Sequence, residues 1–281
     1  TYFGPNGSLS EELPAFNSYI EKVSKHLQTG KTYSDVAVYI PHEDGIMKGA
    51  YPQERQRVWV WGEYELRYID PPKELEGYHP LWINKHFLQK ANFKNGKLEV
   101  GDASFSLLYI DVQFMDNQSL DRILELAKSG LPVCIKNLPS EPSKIKDKSY
   151  QKKLKELLAL TQVKQQFDEV KKNPPILQAD SLPNYWCRVD QKGNAYIFLA
   201  QWKSKNITYP IYSGQSYSNK NLSLPLTINY NGNQSKIDVL FEPYQSVMIK
   251  VSPAGKIKLL DISFRPKDPV VRPREKQRTY F

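Results

Sequence analysis

The residues best suited to chemistry crowd into one stretch of the chain. Trp59, Trp61, Tyr64 and Tyr68 are mixed there with Glu63, Glu65, Arg55, Arg57 and Arg67, and Asp70 and Glu76 follow. Carboxylates beside aromatic rings suit a sugar, because C–H faces stack on the rings while carboxylates bind hydroxyls. Two such carboxyl groups across a glycosidic bond would supply the acid and the base or nucleophile of hydrolysis. That pair has no fixed sequence spacing, so Glu63 with Glu65, or Asp70 with Glu76, stays open. The same composition fits an aromatic-rich loop buried against another domain. Residues 42–77, punctuated by Pro52, Pro71, Pro72, Gly45, Gly49, Gly62 and Gly77, form a long loop of the kind that is usually functional or an interface element. The interface is the favoured reading.

Other chemistries lack their parts. A phosphate cradle needs several glycines between a strand and a helix; after Ile40 the chain reads Pro-His-Glu-Asp-Gly-Ile-Met-Lys-Gly, and after Ile110 Asp-Val-Gln-Phe-Met-Asp. A nucleophile elbow needs Ser or Cys on a strained turn with small neighbours, where Asp111-Val112-Gln113 stands instead. Cys134 sits inside an apolar run with no histidine near it in sequence, so a buried core role is expected rather than a catalytic thiol. The four histidines, His26, His42, His79 and His86, show no zinc spacing. No cofactor, no metal and no catalytic thiol is therefore expected, and the carboxylates remain the open chemistry.

The surrounding elements follow from periodicity. Phe16, Tyr19, Ile20, Val23 and Leu27 mark a helix stopped by Gly30, leading into the buried-type strand Asp35–Pro41. Leu81, Ile83, Phe87 and Leu88 suggest a helical face over Pro80–Lys90. Lys94-Asn-Gly-Lys97 is a turn before a short strand at Leu98–Val100; Ser104–Asp111 and Pro132–Lys136 are further strands, with a helix over Ser119–Lys128 between them. One long helix is expected from about Ser149 to Lys172, stopped by Asn173-Pro174-Pro175. The alternation implies a parallel sheet with crossover helices. From residue 176 onward short strands predominate, at about Tyr185–Asp190, Ala195–Gln201, Ile207–Tyr212, Leu224–Asn229, Lys236–Leu240, Ser246–Val251 and Ile257–Ile262. Two domains are expected: α/β over 1–175, and a small antiparallel β-sandwich over 176–281 with a basic, Pro-rich C-terminal tail.

The net charge of +9 raises the question of nucleic acid. Much of the excess sits on a helix flanked by Lys144–Lys148 and Lys171-Lys172, and in the tail from Arg265 to Arg278. Neither is a compact stripe interleaved with stacking rings, so a solvated basic surface is expected and no nucleic-acid partner. No run reaches the roughly 18 apolar residues of a membrane span. The start at Thr1, without Met or a signal layout, reads as a processed or truncated chain. Two cysteines in different expected cores, Cys134 and Cys187, argue against a disulfide. Five Asn-x-Ser/Thr triplets, at Asn6, Asn117, Asn206, Asn221 and Asn233, do not decide the compartment.

The order of parts carries a resemblance. Ala15–Gly30 followed by Ser34-Asp-Val-Ala-Val-Tyr-Ile-Pro41 resembles the segment after the catalytic barrel in α-L-rhamnosidase-like glycoside hydrolases of family 106; related barrel enzymes, such as family 42 β-galactosidases, carry an amidotransferase-like α/β domain there. Gly77, Tyr78, Ile83, Asn84 and Leu88 match the family's "G-Y-D-x-D-x-I-N-x-x-x-L", with His79 and Leu81 in place of its acidic residues. Lys94–Leu98 with Phe105–Tyr109, Tyr196–Gln201 and Phe241–Val251 resemble later family passages. The resemblance, over roughly residues 10–265, implies a flavodoxin- or amidotransferase-like α/β domain and a β-sandwich in the non-catalytic C-terminal region of a bacterial, periplasmic or extracellular enzyme acting on plant or microbial polysaccharide. Its role would be structural, cleft-shaping or oligomerising. The acid and base would lie on the upstream barrel of the same polypeptide, the principal partner, alongside carbohydrate or a second copy. If the α/β domain reaches the cleft, Trp59, Trp61, Glu63, Tyr64, Tyr78 and His79 are the candidate sugar contacts. The alternatives are an independent carbohydrate-binding or scaffold protein, or a standalone glycosidase using Glu63 or Asp70.

Overall fold

The structure, a computed structural model, describes residues 12–48, 56–58, 64–66, 72–142, 147–183, 185–200, 221–242 and 245–263. In chain order its elements are α1 (Leu13–Leu27), β1 (Lys31–Thr32), β2 (Val36–Tyr39), α2 (His42–Lys48), β3 (Gln56–Val58), β4 (Tyr64–Leu66), β5 (Leu81–Ile83), α3 (Lys85–Lys90), β6 (Asn92–Lys94), β7 (Lys97–Val100), β8 (Ala103–Phe105) and β9 (Leu107–Ile110). There follow α4 (Asn117–Lys128), β10 (Val133–Ile135), α5 (Lys148–Leu158), β11 (Val163–Lys164), α6 (Phe167–Val170), β12 (Leu177–Gln178), β13 (Tyr185–Val189), β14 (Ala195–Ala200), β15 (Leu222–Tyr230), β16 (Asn233–Phe241), β17 (Ser246–Val251) and β18 (Ile257–Leu260).

Five strands form a parallel sheet in the order β11-β10-β9-β2-β5. Numbered by their own succession along the chain, they lie 2-1-3-4-5. Strands buried on both faces read as unbroken apolar runs, and β2, β9 and β10 are buried at every position. Ala37, Tyr39, Leu108, Ile110, Val133 and Ile135 pack toward Leu88 of α3, Ile123 of α4 and Leu154 of α5. Val36, Val38, Leu107, Tyr109 and Cys134 meet Leu75, Tyr78, Phe167 and Val170 on the other face. The meander β6-β7-β8 closes the first face with Leu98, Val100 and Phe105.

Four sequence expectations are corrected here. The run expected as one strand over Ser104–Asp111 breaks at Ser106, with Ala103–Phe105 pairing with β7 and Leu107–Ile110 with β2 and β10. The stretch 42–77, expected as a loop, holds α2 and the antiparallel pair β3–β4. Pro80–Lys90 is not one helix: Leu81–Ile83 pairs with β2 as an edge strand, and Asn84 then caps α3 by accepting from the Phe87 N–H at 3.2 Å. The helix expected over 149–172 ends at Leu158, because Val163-Lys164 pairs with β10 before α6 begins. Both short strands are made by their neighbours, not by their own periodicity.

The C-terminal half packs a sheet of order β1-β13-β14-β17-β18 against the sheet β12-β15-β16, with Cys187, Ile197, Leu199, Leu226, Ile228, Phe241 and Ile249 in the shared core. The expected strand Ile207–Tyr212 and the basic tail beyond Ser263 lie outside the described residues. Although α1 precedes β2 directly, it does not cover the parallel sheet. Val23 packs on Tyr196, Met248 and Ile262, Tyr19 hydrogen-bonds Ser246 at 2.7 Å, and β1 adds to the edge of β13. An amphipathic stripe announces an apolar face but not which sheet receives it.

Candidate functional site

Parallel sheets bind ligands outside the carboxyl ends of their strands, where the strand order reverses. Here that point lies between β2 and β9. The loop leaving β9 would expose backbone N–H groups, but α2 supplies a partner: the buried Asp44 carboxylate accepts from Gln113 N at 3.0 and 3.2 Å and from Phe114 N at 2.6 Å. On its other side the same loop is tied to the exit of β10, with Ser140 N on Gln113 O at 2.8 Å and Met115 N on Ser140 O at 3.1 Å. Deeper, the Tyr39 hydroxyl donates to Ser119 Oγ at 2.8 Å, and Ser119 Oγ donates to Asp116 at 2.7 Å. Asp116 also caps α4 through Gln118 N and Ser119 N and accepts from Lys85 at 2.9 Å. Burial alone would raise the Asp116 carboxyl, but Lys85 and the Ser119 donors outweigh it and hold it below the usual carboxylate range.

The remaining carboxylates at this edge are also engaged. Glu74 accepts from the Tyr109 hydroxyl at 2.5 Å and pairs with Lys136 at 2.9 Å, while Asp111 accepts from Asn137 at 2.6 Å. Glu43 is the exception: its Oε2 is shielded from water with no hydrogen-bond partner. No thiol here is primed for attack. Burial, then the Glu74 charge, pushes Cys134 up to about 12, and burial raises Cys187 as well; a nucleophilic cysteine needs the opposite shift. Among the described residues no group of three or more His, Cys, Asp or Glu side chains is placed to hold a metal.

Asp44→Ala would leave two partly buried N–H groups without an acceptor. The expected loss is about 1–2 kcal/mol of stability, with amide exchange accelerated most at Gln113 and Phe114. Unchanged protection at those two amides would contradict the assignment of Asp44 as the tie across this crevice.

The sequence-predicted contacts are not gathered into one cleft by the described residues. Trp59, Trp61 and Glu63, together with Asp70, lie outside the described residues, and Tyr64 is described only as backbone in β4, opposite Val58. Tyr78 and His79 are buried and diverge. The Tyr78 hydroxyl donates to Asn173 O at 3.0 Å and its ring meets Phe167 edge-on at 5.1 Å, beneath the parallel sheet. His79 turns toward the C-terminal half: its Nδ1 lies 2.5 Å from Tyr33 O, and its ring packs on Tyr185 at 5.2 Å and Trp186 at 4.8 Å. The divergence needs unusual backbone, with φ of +81° at Gly77 and +52° at His79.

A polar network at this seam escaped sequence reasoning. Buried Asp35 accepts from the Tyr33 hydroxyl at 2.6 Å and from Ser106 Oγ at 3.2 Å, with Lys97 at 3.7 Å. Burial, then the charge and hydrogen bond of Asp35, raises the Tyr33 phenol. The available signal was a carboxylate opening a fully apolar strand. Beside it, Tyr78, Ser106 and Lys171–Asn173 border a recess with room for about one water molecule. No protein-family model, no curated protein and no solved structure matches the chain.

Proposed function

We propose that the chain is the non-catalytic C-terminal region of a bacterial, rhamnosidase-like glycoside hydrolase acting on plant or microbial polysaccharide outside the cytoplasm. Its α/β half is of the flavodoxin- or amidotransferase-like kind and braces an upstream catalytic barrel of the same polypeptide, shaping one wall of the cleft or joining two copies. The 2-1-3-4-5 strand order supports that kinship, since it is the flavodoxin-like arrangement. One observation carries the functional reading: at the reversal point, where a doubly wound enzyme would work, the Asp44 carboxylate takes the backbone donors of the β9 exit loop. Donors spent on a carboxylate of the same fold are not available to an oxyanion or a phosphate.

The test is turnover. The chain alone, incubated with aryl α-L-rhamnosides and other aryl glycosides, is expected to release no aryl alcohol above the buffer rate. Hydrolysis that disappears in Glu63→Gln would replace this proposal with a standalone glycosidase.

A further inference from the structure

Two of the four histidines, His26 and His79, lie where the N-terminal elements meet the C-terminal sheets. We propose that they form an acid-sensitive clasp: neutral, they hold α1 and the Gly77–His79 turn against the β13–β14–β17 sheet, and protonation loosens both. This inference does not depend on the proposed function.

The His26 ring stacks on Tyr196 of β14, with centroids 5.2 Å apart and planes 18° apart, and Lys250 of β17 places its ammonium 5.4 Å from the same Tyr196 ring. Lys25 is the neighbour on α1, and Arg188 of β13 holds the carbonyls of Thr29 and Gly30 just beyond the helix. The carboxylates from the packed elements are already used. Asp190 accepts from Lys192 N, Asn194 and the Tyr196 hydroxyl, and Asp261 from Ser263, with Lys22 near it. A proton on His26 therefore adds a cation beside Lys25 and Lys250. The helix C-terminus and the Tyr196 face favour that cation, yet burial and the two ammoniums prevail and the imidazole is held below its ordinary 6.5.

His79 is more deeply enclosed. Nδ1–H donates to Tyr33 O, and Tyr185 and Trp186 of β13 cover the ring; Asp35, beyond Tyr33, is already shared by Tyr33, Ser106 and Lys97. Cys187 follows on β13, its thiol raised by burial. Burial lowers the His79 imidazole, only partly offset by the Tyr33 carbonyl. Both folded values lie below the unfolded value of 6.5. The unfolded chain thus takes up protons first, and the stability held by the neutral rings is complete above about pH 6.5 and lost as pH falls through the folded values. Carboxylates with lowered values, such as Asp116 and Asp190, act below about pH 4, so the interval from 7.5 to 5.5 isolates the histidines.

Ring resonances and amide exchange of the whole chain test the clasp together. Both rings are expected to titrate below 6.5, and exchange of the Val23–Leu27 amides, corrected for intrinsic rate, to quicken about three- to tenfold between pH 7.5 and 5.5. His26→Gln should abolish most of that acceleration. His79→Asn, which tolerates positive φ and keeps a donor, should reduce it further. A ring that titrates at or above 6.5, or an acceleration untouched by His26→Gln, would overturn the proposal.

Discussion

Gly77→Ala is expected to cost about 3 kcal/mol or more, the range reserved for a few named mechanisms. Two causes act at one atom. Gly77 has φ +81°, where an L side chain is strained, and a Cβ there would stand 2.0 Å from the carbonyl oxygen of Leu177. That oxygen is backbone and cannot step aside cheaply, because Leu177 N donates to Gly77 O at 3.2 Å and β12 is paired to β15. Gly96→Ala is the control: φ is +73° but nothing lies within 4 Å of the added atom, so only the backbone strain of about 1–2 kcal/mol remains. Urea unfolding of both variants gives the comparison. Equal losses would mean that the approach of the two halves at Gly77 contributes nothing.

Asp35→Ala is expected to cost about 2–3 kcal/mol, because it leaves two largely buried hydroxyl donors without their acceptor. The Tyr33 hydroxyl and Ser106 Oγ both lose their acceptor, and Lys97 loses its carboxylate. Tyr33 is also packed edge-on to Tyr230 at 6.0 Å, so the disturbance passes into the C-terminal core. Asp35→Asn keeps the shape and one acceptor oxygen, and is expected to recover about half of the loss. The check is the unfolding midpoint of each variant at pH 7.5, above the window in which the histidines titrate. An Asp35→Ala protein as stable as the parent would show that the seam network carries no stabilisation.

What could be read in advance followed local physics. The Asn-Gly pair at 95–96 turns with φ of +51° and +73°, as a two-residue hairpin requires. The apolar runs within Asp35–Pro41 and Pro132–Lys136 became doubly covered strands, and the Ser104–Asp111 run did so over Leu107–Ile110 only. What escaped was non-local. Leu81–Ile83 and Val163-Lys164 are strands because β2 and β10 offer them edges, and no period of two or 3.6 announces that. The partner of α1 was hidden for the same reason, and Phe16 and Ile20 of its apolar stripe end up 43% exposed.

The positions that carry the resemblance are taken up by packing and hydrogen bonds within the fold. Gly30 and Gly77 admit carbonyls of the C-terminal half, Val189 O at 1.9 Å and Leu177 O at 2.0 Å from where a Cβ would stand. Tyr78 and Leu88 are buried on opposite faces of the parallel sheet, Ile83 is core, and Asn84 caps a helix. Each has a task in folding, so these positions speak to architecture more than to chemistry.

The coding sequence upstream of the Thr1 codon gives the sharpest reading of a brace that serves a catalytic barrel. Several hundred residues of alternating β/α pattern, joined in frame to Leu13–Leu27, are the predicted result. A start codon at or near Thr1 would contradict it, since a support domain with nothing to support has no place in the proposed enzyme.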